Sequence, residues 1–425
     1  MKILLITHGS HGDVRPFVAL AMGLREAGHE VVLAGPVSSV SVARPHCDHV
    51  HPLDDGTNNL VHDRNAWEAV ETNFRGLRGK KLGLAFLRQN RAAMAKVFED
   101  LAVLTGDLAT AGDIDLVVHQ VNVPGQAIAE KLGVPAVPVC LQPFWVPTAT
   151  FADPILPFRP PRFLNRASYL STKLFVRGFT GGTANWRTER LGLPRRRFAQ
   201  DVFRRPDGSS APTLQAFSRY VLPSPVRYPD SVHTTGFFFL PAASDWTPPR
   251  PLAEFLAVGE PPVYLGFGSM VGSDPARTGR IVAEAVRLAK VRAVVAVGRG
   301  GIRPGGSDER VFHLEHAPHD WLFPRMAAVV HHGGAGTAGA ALAAGRPQVV
   351  CPFMFDQPYF GRRLHEIGVA PPPRPLRHLT SRGLATAIHE AVHNRAFTAR
   401  ARELGHWVRA EDGVREAVKV LESVT

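Results

Sequence analysis

The stretch Ala327 to Phe360, AAVVHHGGAGTAGAALAAGRPQVVCPFMFDQPYF, constrains the fold more than any other part of the chain. The apolar run Ala327 to Val330 reads as a buried strand, HHGGAGT as a tight turn, Ala338 to Ala344 as a helix of small residues, and Gln348 to Pro352 as a second strand. In an open parallel sheet the carboxyl ends of such strands face one common crevice. The helix start bares backbone amides there, and Gly333, Gly334 and Gly336 have no side chains to block an approaching group. A helix N-terminus carries roughly +0.5 of a charge, so the turn suits phosphate or pyrophosphate, with His332 and Thr337 as further donors. Asp356 and Gln357, on the loop after the second strand, are suited to holding hydroxyl groups at the same edge.

The first half repeats the pattern. Met1 to Thr7 reads as a strand, His8 to Arg15 (HGSHGDVR) as a loop, Pro16 to Ala27 as a helix stopped by Gly28, and Glu30 to Gly35 as a parallel strand. The loop has only a GxxG from Gly9 and Gly12, and no acidic residue closes the second strand, which disfavours a dinucleotide oxidoreductase. Two proton acceptors remain in it. His11 has a suitable intrinsic pKa of about 6.5 but wants a carboxylate to orient it, and His119 to Val123 (HQVNV) offers none. Asp13 is the other, and Asp is also a common helix cap. The strand, helix, strand rhythm recurs through Asp115–Val118, Ala127–Leu132 and Ala136–Cys140. The irregular Gln142 to Leu164 that follows is expected to line a site, with Phe144, Trp145, Phe151 and Phe158 walling an apolar pocket. Prolines cluster between Tyr220 and Pro262, which sets a domain boundary there. Helices are expected over Thr380–Val392 and Thr398–Leu421, the second interrupted at Gly405 and Gly413.

HHGGAGT, with DQP 25 residues beyond His332, resembles the donor-binding signature of nucleotide-sugar glycosyltransferases, in the branch of sterol glucosyltransferases and bacterial antibiotic glycosyltransferases. WTPP at Trp246–Pro249, PPVYLGFGSM at Pro261–Met270 and APHDWLFPR at Ala317–Arg325 resemble that branch too. The likeness covers the second half closely and the first at fewer points. It implies an α/β chain of GT-B type, two doubly wound Rossmann-like domains facing each other across a cleft. The expected division is residues 1–228 for the acceptor, 229–402 for the donor, and a helix at 403–425 crossing back. The implied reaction is an inverting, metal-independent transfer of a sugar from a UDP- or dTDP-sugar to a hydroxyl of a hydrophobic small molecule. Relatives with HGHxxP use their second His as base; Asp13 falls at that position here and matches the GDV pattern of the sterol and glycopeptide branch. The same resemblance adds Gly12, Gly268 and Ser269 to the donor-binding set, and His316, Ala317 or Trp321 beside the nucleobase, although relatives carry Trp where His316 stands. Rivals on the same turn are a nucleotide-sugar epimerase or hydrolase and a non-catalytic nucleotide-sugar-binding protein.

Net charge is +12 with a pI near 10.2, but the basic residues are spread along the chain without aromatic interleaving, so nucleic acid is not an expected partner. The charge suits anionic nucleotides, and Arg159 to Arg177 is open to weak association with a membrane face. MKILLIT reads better as a first strand than as a secretory leader, so cytoplasmic residence is expected. Cys47, Cys140 and Cys351 are too scattered for a disulfide framework. HCDHVH at His46–His51 fits no closed metal pattern and reads as a solvated loop. No metal and no cofactor are expected, the nucleotide sugar being a co-substrate.

Overall fold

The computed structural model describes residues 1–58, 76–156, 158–180, 182–196, 199–223, 225–268, 274–297, 302 and 308–424. They form two compact units, the first mainly residues up to Leu240 together with those from Glu411 on, the second mainly Pro241–Ala410.

The first unit opens with β1 (Lys2–Ile6), α1 (His11–Glu26) and β2 (Glu30–Pro36). β3 (His49–Leu53), the long α2 (Gly76–Ala111), β4 (Leu116–Gln120), α3 (Gly125–Leu132) and β5 (Ala136–Cys140) follow. After an excursion containing α4 (Leu170–Thr180) come β6 (Thr213–Gln215) and β7 (Val232–Thr234). All seven strands pair in parallel in the order β3-β2-β1-β4-β5-β6-β7. A parallel sheet is covered on both faces, which explains why β1 reads as an unbroken apolar run. Ile3 and Leu5 pack with Phe17 and Leu20 of α1, while Leu4 and Ile6 pack with Val97 and Leu101 of α2 on the other face.

Four expectations are corrected. Helix α1 begins at His11, because Ser10 takes the N-cap in extended backbone and Asp13 closes a capping box with it; Pro16 lies inside the helix. HCDHVH is not a solvated loop: Cys47 is buried, Asp48 accepts a 2.8 Å bond from the Val31 amide, and β3 begins at His49. The first unit runs past residue 228 because β7 pairs with β6. Of the two interruptions expected in Thr398–Leu421, Gly413 opens a new helix whereas Gly405 does not break the one before it, as described next.

The second unit contains α5 (Arg250–Ala257), β8 (Val263–Gly266), α6 (Pro275–Ala289), β9 (Ala293–Ala296), β10 (Val311–Leu314) and α7 (His319–Leu322). It continues through β11 (Val329–His331), α8 (Ala335–Ala343), β12 (Gln348–Val350), α9 (Gln357–Glu366), α10 (Ser381–His393) and α11 (Arg395–Ala410). Its five strands are parallel in the order β10-β9-β8-β11-β12. The chain then breaks at Asp412, with φ at +47°, and α12 (Gly413–Glu422) returns to the first unit. There Ala417, Val418 and Leu421 join the core beside α1. Gly23 permits that approach, since a Cβ on it would lie 2.3 Å from Val414 Cγ1.

Gly405 does not interrupt α11; it lets α11 press against the small helix α8. A Cβ there would lie 2.7 Å from the Leu342 carbonyl and 2.9 Å from Gly345 Cα, both backbone atoms that cannot swing aside. Helix propensity alone predicts that Gly405→Ala stabilises by about 1 kcal/mol. Overpacking of this kind costs about 1–3 kcal/mol, so the expected outcome is net destabilisation, read as a lower denaturation midpoint in urea.

Candidate active site

In the first unit the loops that leave β1, β3 and β4 at their carboxyl ends converge on Asp13. The backbone N–H of His8 can only donate, and it donates to Gln120 Oε1 at 3.2 Å, where Thr7 Oγ1 also donates at 2.8 Å. The Gln120 amide is thereby oriented, and its Nε2 donates to Asp13 Oδ1 at 3.0 Å. The other carboxylate oxygen, Oδ2, accepts from the Ser10 N–H and hydroxyl, both at 2.9 Å. Gly9, at φ +141°, is required beside it: a Cβ would lie 2.4 Å from Asp13 Oδ2. Burial raises the Asp13 pKa above the ordinary carboxylate value, and the bonds from Ser10 and Gln120 oppose that rise. Of four lone-pair directions on the carboxylate three are taken, which leaves one on Oδ1 able to receive a proton.

Around this centre, buried His8 points Nε2 at the Asp54 carbonyl, 3.1 Å away, so that nitrogen carries the hydrogen; burial lowers its pKa and keeps it neutral. Asn58 and Asn122 donate to the Gly9 and His8 carbonyls at 2.7 and 3.2 Å. His11 and Gly12 are exposed in the first turn of α1. Sequence reasoning missed Gln120: HQVNV offers no carboxylate, and the group that bonds to Asp13 is an amide.

In the second unit the turn after β11 is set by a buried pair. The Gly333 N–H donates to His331 Nδ1 at 3.0 Å, so His331 carries its hydrogen on Nε2, directed at Gln348 Oε1 2.8 Å away. Burial pushes the His331 pKa down to about 4. Gly333 needs its left-handed φ of +95° and its missing side chain, because a Cβ would lie 2.9 Å from Val350 Cγ1. The His332 ring sits beside Gly268 and Gly334, whose added Cβ atoms would fall 2.8 and 2.5 Å from it. Burial first, then neighbouring His331 and His319, push its pKa down to about 3, and its buried Nδ1 has no hydrogen-bond partner. Gly334 is the N-cap of α8 and no side chain caps that helix. The amides of its first turn, with Gly336 and Thr337, are therefore without a side-chain cap; a Cβ on exposed Gly336 would meet nothing within 4 Å.

Asp356 is the N-cap of α9, and the buried Gln357 behind it turns Oε1 toward the Phe353 and Met354 amides at 2.7 and 3.1 Å. Gln357 thus shapes the loop, beside Phe355 held at φ +53°. His316 is exposed after β10 and Ala317 is buried in the core. Trp321 is half-buried in packing: Trp246 meets it edge-on at 5.0 Å and the Arg325 guanidinium lies over its ring at 4.2 Å. Ser269 lies outside the described residues. The four expected acceptor aromatics make the following contacts. Phe144 and Trp145 pair at 5.0 Å, Phe151 packs on Tyr169 at 6.3 Å, and Phe158 is 63% exposed. Among the described residues no cluster of three or more His, Cys, Asp or Glu could hold a metal.

Residues 308–424 match the family model of the erythromycin biosynthesis protein CIII-like C-terminal domain. The spinosyn forosaminyltransferase SpnP superposes with a TM-score of 0.67 at 18% identity, over 100% of this chain and 98% of that one. The glycosyltransferase VinC, solved with dTDP, gives 0.65 at 21% identity, over 100% and 99%. A sterol 3-beta-glucosyltransferase of Emericella nidulans is 33% identical over 99% of this chain, and one of Neosartorya fischeri 32% identical over 99%. The chain has the GT-B fold of these solved glycosyltransferases and is similar over nearly its whole length to a part of the sterol 3-beta-glucosyltransferases. It spans 30% of the length of the Emericella protein and 29% of the other. In GT-B terms the Asp13 loop belongs to the first Rossmann-like domain and the α8 turn to the second.

Two measurements check this electrostatic picture. His119 and His331 are both fully buried with pKa pushed down to about 4. The unfolded imidazoles take protons below about 6.5 that the folded chain refuses, so stability is full above that pH and falls as pH drops toward 4. The expected loss is roughly 2 kcal/mol per histidine by pH 5, read from urea midpoints at pH 7 and 5. Gly336→Ala, in open space on a helix, is expected to fold with equal or greater stability yet bind inorganic pyrophosphate at least about 5-fold more weakly by calorimetry, because the methyl covers the amides.

Proposed function

We propose that this chain is an inverting, metal-independent glycosyltransferase that moves a sugar from a UDP- or dTDP-sugar to a hydroxyl of a hydrophobic small molecule. The observation that carries the reading is Asp13, a carboxylate oriented by Ser10 and Gln120, raised in pKa, with one lone pair of Oδ1 unused. The acceptor hydroxyl gives its proton to that lone pair as its oxygen attacks the anomeric carbon, and the bond to the diphosphate breaks with its electron pair leaving on phosphate oxygen. The leaving diphosphate needs charge stabilisation more than a proton. The first-turn amides of α8, Thr337 and the neutral N–H of His332 supply it, with Asp356 holding sugar hydroxyls. The names of the relatives support a sugar-transfer reaction, and VinC with dTDP supports a thymidine nucleotide among the two. Asp13 is preferred over His11 because His11 stands exposed in the first turn of α1 while Asp13 is held on both oxygens.

Mass-spectrometric turnover of a panel of nucleotide sugars and apolar alcohols tests this. Asp13→Asn is expected to lower kcat by about 10²–10⁴-fold with donor affinity retained. Since a base must be ionised, kcat/KM falls as pH drops through the raised Asp13 pKa. Gln120→Leu removes a bond that lowers that pKa, so the acid limb moves to higher pH. Full activity of Asp13→Asn would remove Asp13 from the reaction, and release of free sugar with no glycoside would favour a hydrolase.

A further inference from the structure

The excursion after β5 carries a helical run turned inside out. A 3₁₀ turn (Arg162–Leu164), a short helix (Asn165–Ser168) and α4 follow one another almost without a break. Uncharged polar side chains face the protein, beside the buried Tyr169. Asn165 Nδ2 donates to the Ala149 carbonyl at 2.9 Å, Ser168 Oγ accepts from the Asp153 backbone N–H at 2.8 Å and donates to the Asn165 carbonyl, and Thr172 Oγ1 donates to the buried Asp153 carboxylate at 2.6 Å. At helical spacing the opposite face holds Phe163, Leu170 and Leu174, which are 83%, 59% and 62% exposed. A soluble helix does the reverse. Directly flanking this stripe stand the exposed Arg162, Arg166 and Arg177, with Lys173 also reaching Asp201 at 3.5 Å. From residue 158 to 177 the chain has five basic residues and no Asp or Glu.

We propose that this face docks on an anionic lipid bilayer surface. Apolar side chains projecting from a rigid base, beside a basic row free of acids, match the chemistry of the boundary between acyl chains and anionic headgroups. Asp153 anchors the run from beneath, so the face exists before contact and needs no refolding. Phe158, expected in a pocket wall, stands exposed at the start of the same stretch. Among the described residues no helix is long and apolar enough to cross a membrane. This proposal is independent of the transfer reaction.

The test is co-sedimentation of the purified chain with vesicles of phosphatidylglycerol or phosphatidylcholine. Partitioning onto phosphatidylglycerol is expected to exceed that onto phosphatidylcholine by about 10-fold or more and to fall when salt is raised. The triple variant F163S/L170S/L174S and the triple variant R162Q/R166Q/R177Q should each lose about 10-fold on phosphatidylglycerol, with unchanged unfolding midpoints because these side chains are exposed. No sedimentation with phosphatidylglycerol, or sedimentation that neither variant weakens, overturns the proposal. So does a lipid-free dimer in sedimentation velocity that F163S/L170S/L174S converts to monomer, which would assign the face to a second copy.

Discussion

Every strand in both sheets pairs in parallel, and that constraint decides where chemistry can gather. Parallel neighbours release their following loops at the same edge, so residues far apart in sequence meet without any long-range search for partners. Around β1 the edge collects the segment from Thr7 to Asp13 and the Gln120–Asn122 segment. Around β11 it collects Gly268, the His332–Gly334 turn and the loop shaped by Gln357. Both gatherings sit where helices begin, α1 in one case and α8 in the other.

The two centres use burial in opposite senses. Desolvation penalises whichever form is charged, so it lifts the Asp13 carboxyl toward protonation and drives the histidines of the glycine turn to neutrality. A carboxylate so adjusted holds a proton more readily once it has taken it, and an imidazole kept neutral donates a hydrogen without adding a buried charge. In each centre one backbone N–H sets the polarity. The His8 amide orients Gln120, and the Gly333 amide selects the His331 tautomer.

Much of this was legible in the residues. Apolar runs marked β1, β2, β4, β5 and β11, because parallel strands are buried on both faces, and the small-residue turn before α8 marked the bared helix start. What stayed hidden depended on partners distant in sequence. Ser10 rather than Pro16 opens α1 because Ser and Asp three residues apart satisfy each other, while proline merely suggested a beginning. Trp321 reads equally as a nucleobase partner and as core, because its contacts with Trp246 and Arg325 depend on residues that no motif links to it. Gly405 looked like a helix breaker, since sequence cannot show that α8 lies against it. Gln120 carried no motif, because an amide is informative only once its neighbours are known to be donors.

The return of α12 to the first unit has a consequence for how the protein is made. A chain leaving the ribosome exposes β1 to β7 early, but the flank of α1 that Val414, Ala417 and Leu421 cover stays open until all of Pro241–Ala410 has been translated. The unit synthesised first is therefore completed last. Throughout that interval the apolar flank of α1 stays uncovered.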